Sequence, residues 1–372
     1  MIFIVTPYRV FPVRKGGQKF IALFMRYFAR HSQLVRITVR DEAESDWAGV
    51  RRIPMFSSTV LRYINPIYVF RMASLIRKNK ATHIIFEHPY MGWMGLLLKW
   101  FTPVKLVIQS HNIEATRWKS LGKWWWPILS VYEGVVHRWA DMNFFVQAAD
   151  RDFAIQRYRV KPEKTAVVTY GIENSGAPTA EEKSAAARQL RKTYNIPESA
   201  KILLFTGSFG YKPNLDAVKT ILENIEPALR TSGTEYRILI CGGGLPEDRQ
   251  KQVRENPNVI YAGFVDDIDR VFKGADLFLN PVVDGGGIKT KLVEALGWNT
   301  PAVSTASGSI GVDPEDAGAL LKIVEDENWN GFVGKIVETM GACPNAIPPR
   351  YYQRFYWGNI TAEAAAVLEK YA

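Results

Sequence analysis

The chain has 372 residues, 47% hydrophobic and 23% charged, with a formal net charge of +10. That length predicts two domains of about 150–200 residues each, and the composition excludes global disorder and fibrous folds. The charge is uneven, net +15 over residues 1–170 and net −5 over the rest, which points to two domains with different partners.

The chain opens on IFIVT (2–6), a short β-rich run with no basic segment before it and no cleavage-site pattern after it, so no signal peptide is expected. Further strand candidates in the first half are VRITV (35–39), HIIFE (83–87), KLVIQ (105–109), NFFV (143–146) and AVVT (166–169). Continuous apolar runs of this length suit strands buried on both faces, as in a parallel sheet. A helix is expected over 17–31, where Phe20, Leu23, Phe24, Tyr27 and Phe28 share a face. The polar stretch 173–189 reads as a linker. The second half repeats the alternation with ILLFT (202–206), RILIC (237–241), VIYA (259–262), DLFLN (276–280) and PAVST (301–305), and a helix after Pro213 carries Leu215, Val218, Leu222, Ile225 and Leu229. Two sets of βαβ units imply an α/β chain of two doubly wound domains, with ligands at the carboxyl ends of the strands.

Four glycine clusters stand at strand–helix junctions: Gly16-Gly17, Gly207, Gly242 to Gly244, and Gly285 to Gly287. Backbone N–H groups at such junctions suit anions, and Lys212, Lys289 and Lys291 follow two of the clusters. Neither an ATPase P-loop nor the G-x-G-x-x-G spacing is present. In NPVVDGGGIKTKLVEAL the backbone of Ile288, Lys289 and Thr290 is open to a phosphate, and Glu294, about one and a half turns into the helix, is placed for ribose hydroxyls. A surface carboxylate on an amphipathic helix is the plainer alternative.

His111 lies just past KLVIQ, where site residues belong, and His88 with Glu87 ends the strand before it. A capping or core role for His111 stays open, and the histidines lack metal-ligand spacing. Cys241 reads as packing, and two cysteines in so long a chain suit a reducing compartment. The segment RWKSLGKWWWPILSVYEGVVHRW (117–139) sets Trp124, Trp125 and Trp126 among basic residues. These tryptophans either fill a core or sit at a membrane interface. YRVFPVRK (8–15), with Arg9, Arg14 and Lys15, and MGWMGLLLKWF (91–101) favour the interface. No run reaches the ~18 apolar residues of a membrane span, and no nucleic-acid-binding motif is found.

Taken together, HNIEATRW (111–118), YEGVVHRWADMNFFVQAAD (132–150), FTGSFGYKPNLDAV (205–218) and residues 263–305 resemble glycosyltransferase family 4, the retaining enzymes of the GT-B fold. The resemblance implies two Rossmann-like domains facing a central cleft: residues 1–172 on the acceptor side, a linker and first helix over 173–195, a donor domain over 196–351, and a helix over 352–372 returning to the first domain. It implies that Gly16, Gly17, Gly207, Gly243, Gly286, Gly287, Ile288, Thr290 and Lys291 line the donor phosphates. Val265 would flank the base, Glu294 bind the ribose, and His111, Lys212 and Lys289 act in catalysis. Arg9, Arg14, Lys15, His88 and Trp124 to Trp126 would belong to the acceptor and membrane side. The expected partners are a UDP- or GDP-type sugar, a glycan or lipid-linked acceptor and an anionic membrane surface, with no metal, no cofactor and no nucleic acid. The expected location is cytoplasmic, at the inner face of the membrane. A sugar-nucleotide epimerase and a non-catalytic subunit are the alternatives. Gly286 stands where the family usually has Glu, and Thr169-Tyr170-Gly171 replaces its usual Pro-Asn-Gly.

Overall fold

The apolar runs form two all-parallel sheets in a computed structural model that describes residues 1–13, 16–43, 50–342 and 346–370. The first sheet contains β1 (Ile2–Val5), β2 (Leu34–Val39), β3 (Arg51–Phe56), β4 (His83–Glu87), β5 (Lys105–Ser110), β6 (Met142–Phe145) and β7 (Thr165–Val167), in the order β3-β2-β1-β4-β5-β6-β7. The second contains β8 (Lys201–Thr206), β9 (Tyr236–Cys241), β10 (Val259–Gly263), β11 (Leu277–Asn280), β12 (Ala302–Thr305) and β13 (Leu321–Val324), in the order β10-β9-β8-β11-β12-β13. Strand order reverses between β1 and β4 in one sheet and between β8 and β11 in the other, which places a ligand crevice at the carboxyl ends of those strands.

Every residue of β1, β2, β4 and β6 is buried, because helices cover both faces. Two strands were absent from the sequence reading. β3 reads Arg51-Arg52-Ile53-Pro54 and β13 reads Leu321-Lys322-Ile323-Val324. Both lie at sheet edges, where charge and proline are tolerated because one side of the strand has no ladder to complete.

The chain divides into two units, Met1–Gly171 with Trp357–Ala372, and Ile172–Tyr356. In the first unit, helix Gly16–Phe28 buries Phe20, Leu23, Phe24, Tyr27 and Phe28. Helix Trp357–Lys370 packs against it: Trp357 is fully buried and meets Phe20 edge-on, with ring centroids 5.3 Å apart. Tyr170 fills the same pocket, 6.0 Å from Trp357. In the second unit, the polar 173–189 stretch holds the start of helix Ala180–Tyr194. There Thr179 and Glu182 form a reciprocal cap, each accepting the other's backbone N–H. The helix after Pro213 is not continuous. Lys212–Thr220 passes through a π-turn, Ile221–Ile225, into Glu226–Leu229. Pro227 has no N–H to give the preceding turn, and the wider turn absorbs that loss while Val218, Ile221, Ile225 and Leu229 stay buried.

Candidate functional site

The first unit gathers its titratable groups where β1, β4 and β5 end. Glu87 closes β4 and pairs in register with Gln109 of β5. His88 follows at φ +71°, with its backbone N–H donated to the Gln109 carbonyl at 2.9 Å. Positive φ is uncommon for a residue with a side chain, and here it turns the imidazole onto His111, ring on ring at 4.3 Å. His111 Nε2 lies 2.7 Å from Glu87 Oε2. His88 Nε2 lies 2.8 Å from the Tyr8 hydroxyl, while its Nδ1 stands 3.3 Å from Glu114 Oε1 without hydrogen-bond alignment. Glu114 Oε2 accepts from the Tyr90 hydroxyl and, at 3.0 Å, from Arg117. Glu87 and His88, neighbours in the chain, take different partners: Glu87 serves His111, and His88 turns to Tyr8 and Glu114. Register decides this, since adjacent residues at a strand end project to different sides.

Burial pushes the Glu114 carboxyl up, but His88, Tyr90 and Arg117 outweigh it and hold the group at about 2. Burial, and next the neighbouring His88, lower the His111 pKa against the opposing pull of Glu87 and Glu114. Burial beside Glu87 and Glu114 raises the Tyr8 hydroxyl. The N-terminus of helix Glu114–Ser120 has no cap from Ile113. Glu133, fully buried on helix Trp126–Trp139, supplies it by accepting the N–H groups of Glu114 and Ala115, each at 2.9 Å.

Of the other first-unit residues singled out in the sequence, Gly16 and Gly17 open helix Gly16–Phe28 with exposed backbone. The loop before them is pinned by buried Glu42, which accepts from the N–H groups of Val10 and Phe11 at 2.6 and 2.9 Å. Arg9 is exposed and paired with Asp41. Arg14 and Lys15 lie outside the described residues, as does Cys343. Trp124 is 82% exposed, so it fills no core, and Trp125 and Trp126 are half-buried. Ile64, Phe70, Trp100, Ile128 and Trp139 are also exposed in this unit.

In the second unit, the loops after β8 and β11 meet at the switch point. A Cβ on Gly285, which has φ +94°, would lie 2.6 Å from the Tyr211 hydroxyl and 3.4 Å from Pro213. Lys212 opens helix Lys212–Thr220 and pairs with Asp216 at 2.5 Å. The Lys289 ammonium folds back onto the Gly285 carbonyl. Burial lowers the Lys289 pKa against the charge of Asp284. Glu294 is buried in helix Thr290–Gly297 and bonds Lys291 at 2.8 Å. Lys183, unnoticed in the sequence, donates to the Asn299 carbonyl at 2.9 Å and to Thr300 Oγ1 at 3.3 Å, tying down the far end of that helix; burial lowers its pKa to about 8.

The glycines separate into two kinds. Gly242 has φ +143°, and a Cβ there would fall 1.7 Å from the Gly207 carbonyl oxygen, so the turn itself demands glycine. Gly17, Gly243 and Gly286 would meet nothing within 4 Å, so packing does not require them and their backbone is open to approach. Gly207, half-buried after β8, donates its N–H to the Cys241 carbonyl at 3.0 Å. Gly287, at φ +81°, and Thr290 bracket the start of helix Thr290–Gly297, Ile288 packs on Gly311, and Val265 is half-buried after β10. Burial pushes the Cys241 thiol up to about 12, which leaves it an inert packing group. Among the described residues no His, Cys, Asp or Glu cluster has the geometry to hold a metal ion, and no helix is long and apolar enough to cross a membrane. Tyr8, Tyr90 and Tyr211 were also missed; the available signal was their position immediately after a strand or beside a named site residue.

Residues 14–175 match the family model "Glycosyltransferase Family 4", and residues 200–341 match "Glycosyl transferases group 1". Together with the two Rossmann-ordered sheets, these matches give the chain the GT-B glycosyltransferase fold, with a family 4 domain match in the first half followed by a group 1 domain match in the second. Its fold is similar to that of Anabaena Alr3699/HepE solved with UDP and glucose, at TM-score 0.73, 14% identity and 99% of each chain covered. It is also similar to the lipopolysaccharide outer core galactosyltransferase WaaB, at TM-score 0.69, 15% identity and 100% of each chain. An uncharacterized 44.6 kDa protein in the cps region of Klebsiella pneumoniae is 26% identical over 132 residues, and the match spans 34% of that relative's length.

Proposed function

We propose that this protein is a retaining glycosyltransferase. It moves a hexose from a UDP- or GDP-sugar to a glycan or lipid-linked acceptor in the assembly of bacterial surface polysaccharide. The observation that carries the reading is the meeting of the Gly207–Lys212 and Asp284–Lys289 segments at the switch point of the second sheet, with buried Glu294 on the helix that follows. A departing diphosphate gathers negative charge as the glycosidic bond breaks. The open backbone near Gly243 and Gly286, with Lys212 and Lys289, supplies preorganised positive potential for it. Glu294 takes the ribose hydroxyls, and no metal ion is needed. The UDP and glucose named for the Anabaena structure and the cps location named for the Klebsiella relative agree with this choice of donor and pathway.

The net charge of +15 over residues 1–170 and exposed Trp100, Trp124, Ile128 and Trp139 support work at an anionic membrane surface on the cytoplasmic side. The test is a panel of UDP- and GDP-sugars with glycan and lipid-linked acceptors on vesicles with and without anionic lipid. Transfer is expected with retained anomeric configuration, with loss in Glu294→Ala and Lys212→Ala. No donor binding by calorimetry rejects the reading, and conversion of donor alone, followed by proton NMR, shows an epimerase instead.

A further inference from the structure

Glu87 is 1% exposed, and only one of its two carboxylate oxygens has a partner, Oε2 on His111 Nε2 at 2.7 Å. Its Oε1 is sealed from solvent without a hydrogen bond, and so are both amide atoms of Gln109, the residue opposite it on β5. Burying an unpaired carboxylate oxygen costs stability, so packing alone does not account for glutamate at this position. The contact it does make has a chemical consequence. A carboxylate only accepts hydrogen bonds, so the proton on His111 must sit on Nε2. In the neutral ring the lone pair then resides on Nδ1.

The ring is held in this orientation from two further sides. His88 stacks on its face at 4.3 Å, and Phe20 of helix Gly16–Phe28 meets it edge-on at 4.6 Å. The charged or titratable groups acting on it are Glu87 at the end of β4, His88 just beyond, Glu114 on the helix after β5, and Tyr8 beyond β1 through His88. Nδ1 has no hydrogen-bond partner among the described residues, and the His111 side chain retains 9% exposure.

We propose that Glu87 is a positioning residue that fixes His111 in the Nε2–H tautomer and presents Nδ1 as a hydrogen-bond acceptor to a sugar hydroxyl. The tautomer stands on geometry alone; the ligand rests on the transferase reading above. In the neutral ring His111 is thereby an acceptor of hydrogen bonds at Nδ1.

The test uses the full chain labelled with 15N-histidine. A long-range 1H–15N correlation spectrum at neutral pH, with His111 assigned by its loss in His111→Gln, is expected to show Nδ1 unprotonated. In Glu87→Gln, whose amide can donate or accept, the His111 signals are expected to move towards a mixture of tautomers. Kinetically, Glu87→Gln is expected to lower kcat/KM by about 10- to 100-fold, as for other groups that orient a functional histidine. It is expected to slow His111→Gln no further, because it acts through that ring. A wild-type Nδ1–H tautomer, an imidazolium at neutral pH, or multiplicative effects in the double variant overturns the proposal. If Glu87→Gln does not fold, the wild-type spectrum still decides the tautomer. The expected spectrum without sugar transfer by the wild type rejects the transferase reading and the hydroxyl ligand, and leaves the tautomer assignment standing.

Discussion

Glu133 holds the start of helix Glu114–Ser120 from behind, and its removal has a calculable cost. The side chain is fully buried and accepts three hydrogen bonds, from the N–H groups of Glu114 and Ala115 and from the Tyr158 hydroxyl, each at 2.9 Å. Glu133→Ala leaves two amides buried without partners, each worth about 1–3 kcal/mol, and leaves the Tyr158 hydroxyl only its long contact from Ser130 at 3.5 Å. Local relaxation recovers part of this, so the expected loss is about 4 kcal/mol, within the range for breaking buried charged contacts. The first unit falls in the size range where each kcal/mol moves Tm by about 2–4 °C, so its transition should drop by about 8–16 °C. Circular dichroism melts measure the drop. Hydrogen exchange locates it: amides of residues 111–120 should exchange faster while those of 200–341 are unchanged. Glu133→Gln, which keeps one good acceptor, should fall between. A Glu133→Ala melt within about 2 °C of wild type, or unchanged exchange at Glu114 and Ala115, refutes the capping role.

Two further outcomes follow from the geometry. Gly242→Ala should destabilise the second unit by about 3 kcal/mol or more, because its methyl would overlap the Gly207 carbonyl oxygen at an unfavourable positive φ. Gly243→Ala, one residue on in open space, should leave the melt unchanged, and equal effects of the two in thermal denaturation contradict the assignment. Acid is the other lever. The Glu114 carboxyl is held at about 2 against an ordinary 4.5, so the folded chain binds fewer protons than the unfolded one between those values. Stability of the first unit is therefore full above the ordinary value and is lost as pH falls towards 2, by about 3 kcal/mol from this group. Denaturant melts of Glu114→Gln should show a shallower decline over that window; an identical slope contradicts the depressed pKa.

The sequence by itself determined the α/β class, eleven of the strands, the buried faces of helix Gly16–Phe28 and the glycine loops at strand ends. These depend on how each short segment distributes apolar and polar side chains, which every strand or helix carries locally. The edge strands β3 and β13 escaped because an edge relaxes that pattern; Arg51, Arg52 and Pro54 are tolerated where a ladder is one-sided. Tertiary structure alone decided which carboxylate serves which imidazole. Glu87 and His88 are adjacent in the chain, yet Glu87 reaches His111 and His88 reaches Tyr8, partners 24 and 80 residues away. The same holds for Glu133 under the Glu114 helix and for Tyr211 over Gly285. Strand register and loop course set those distances, and neither is written in the spacing of residues along the chain.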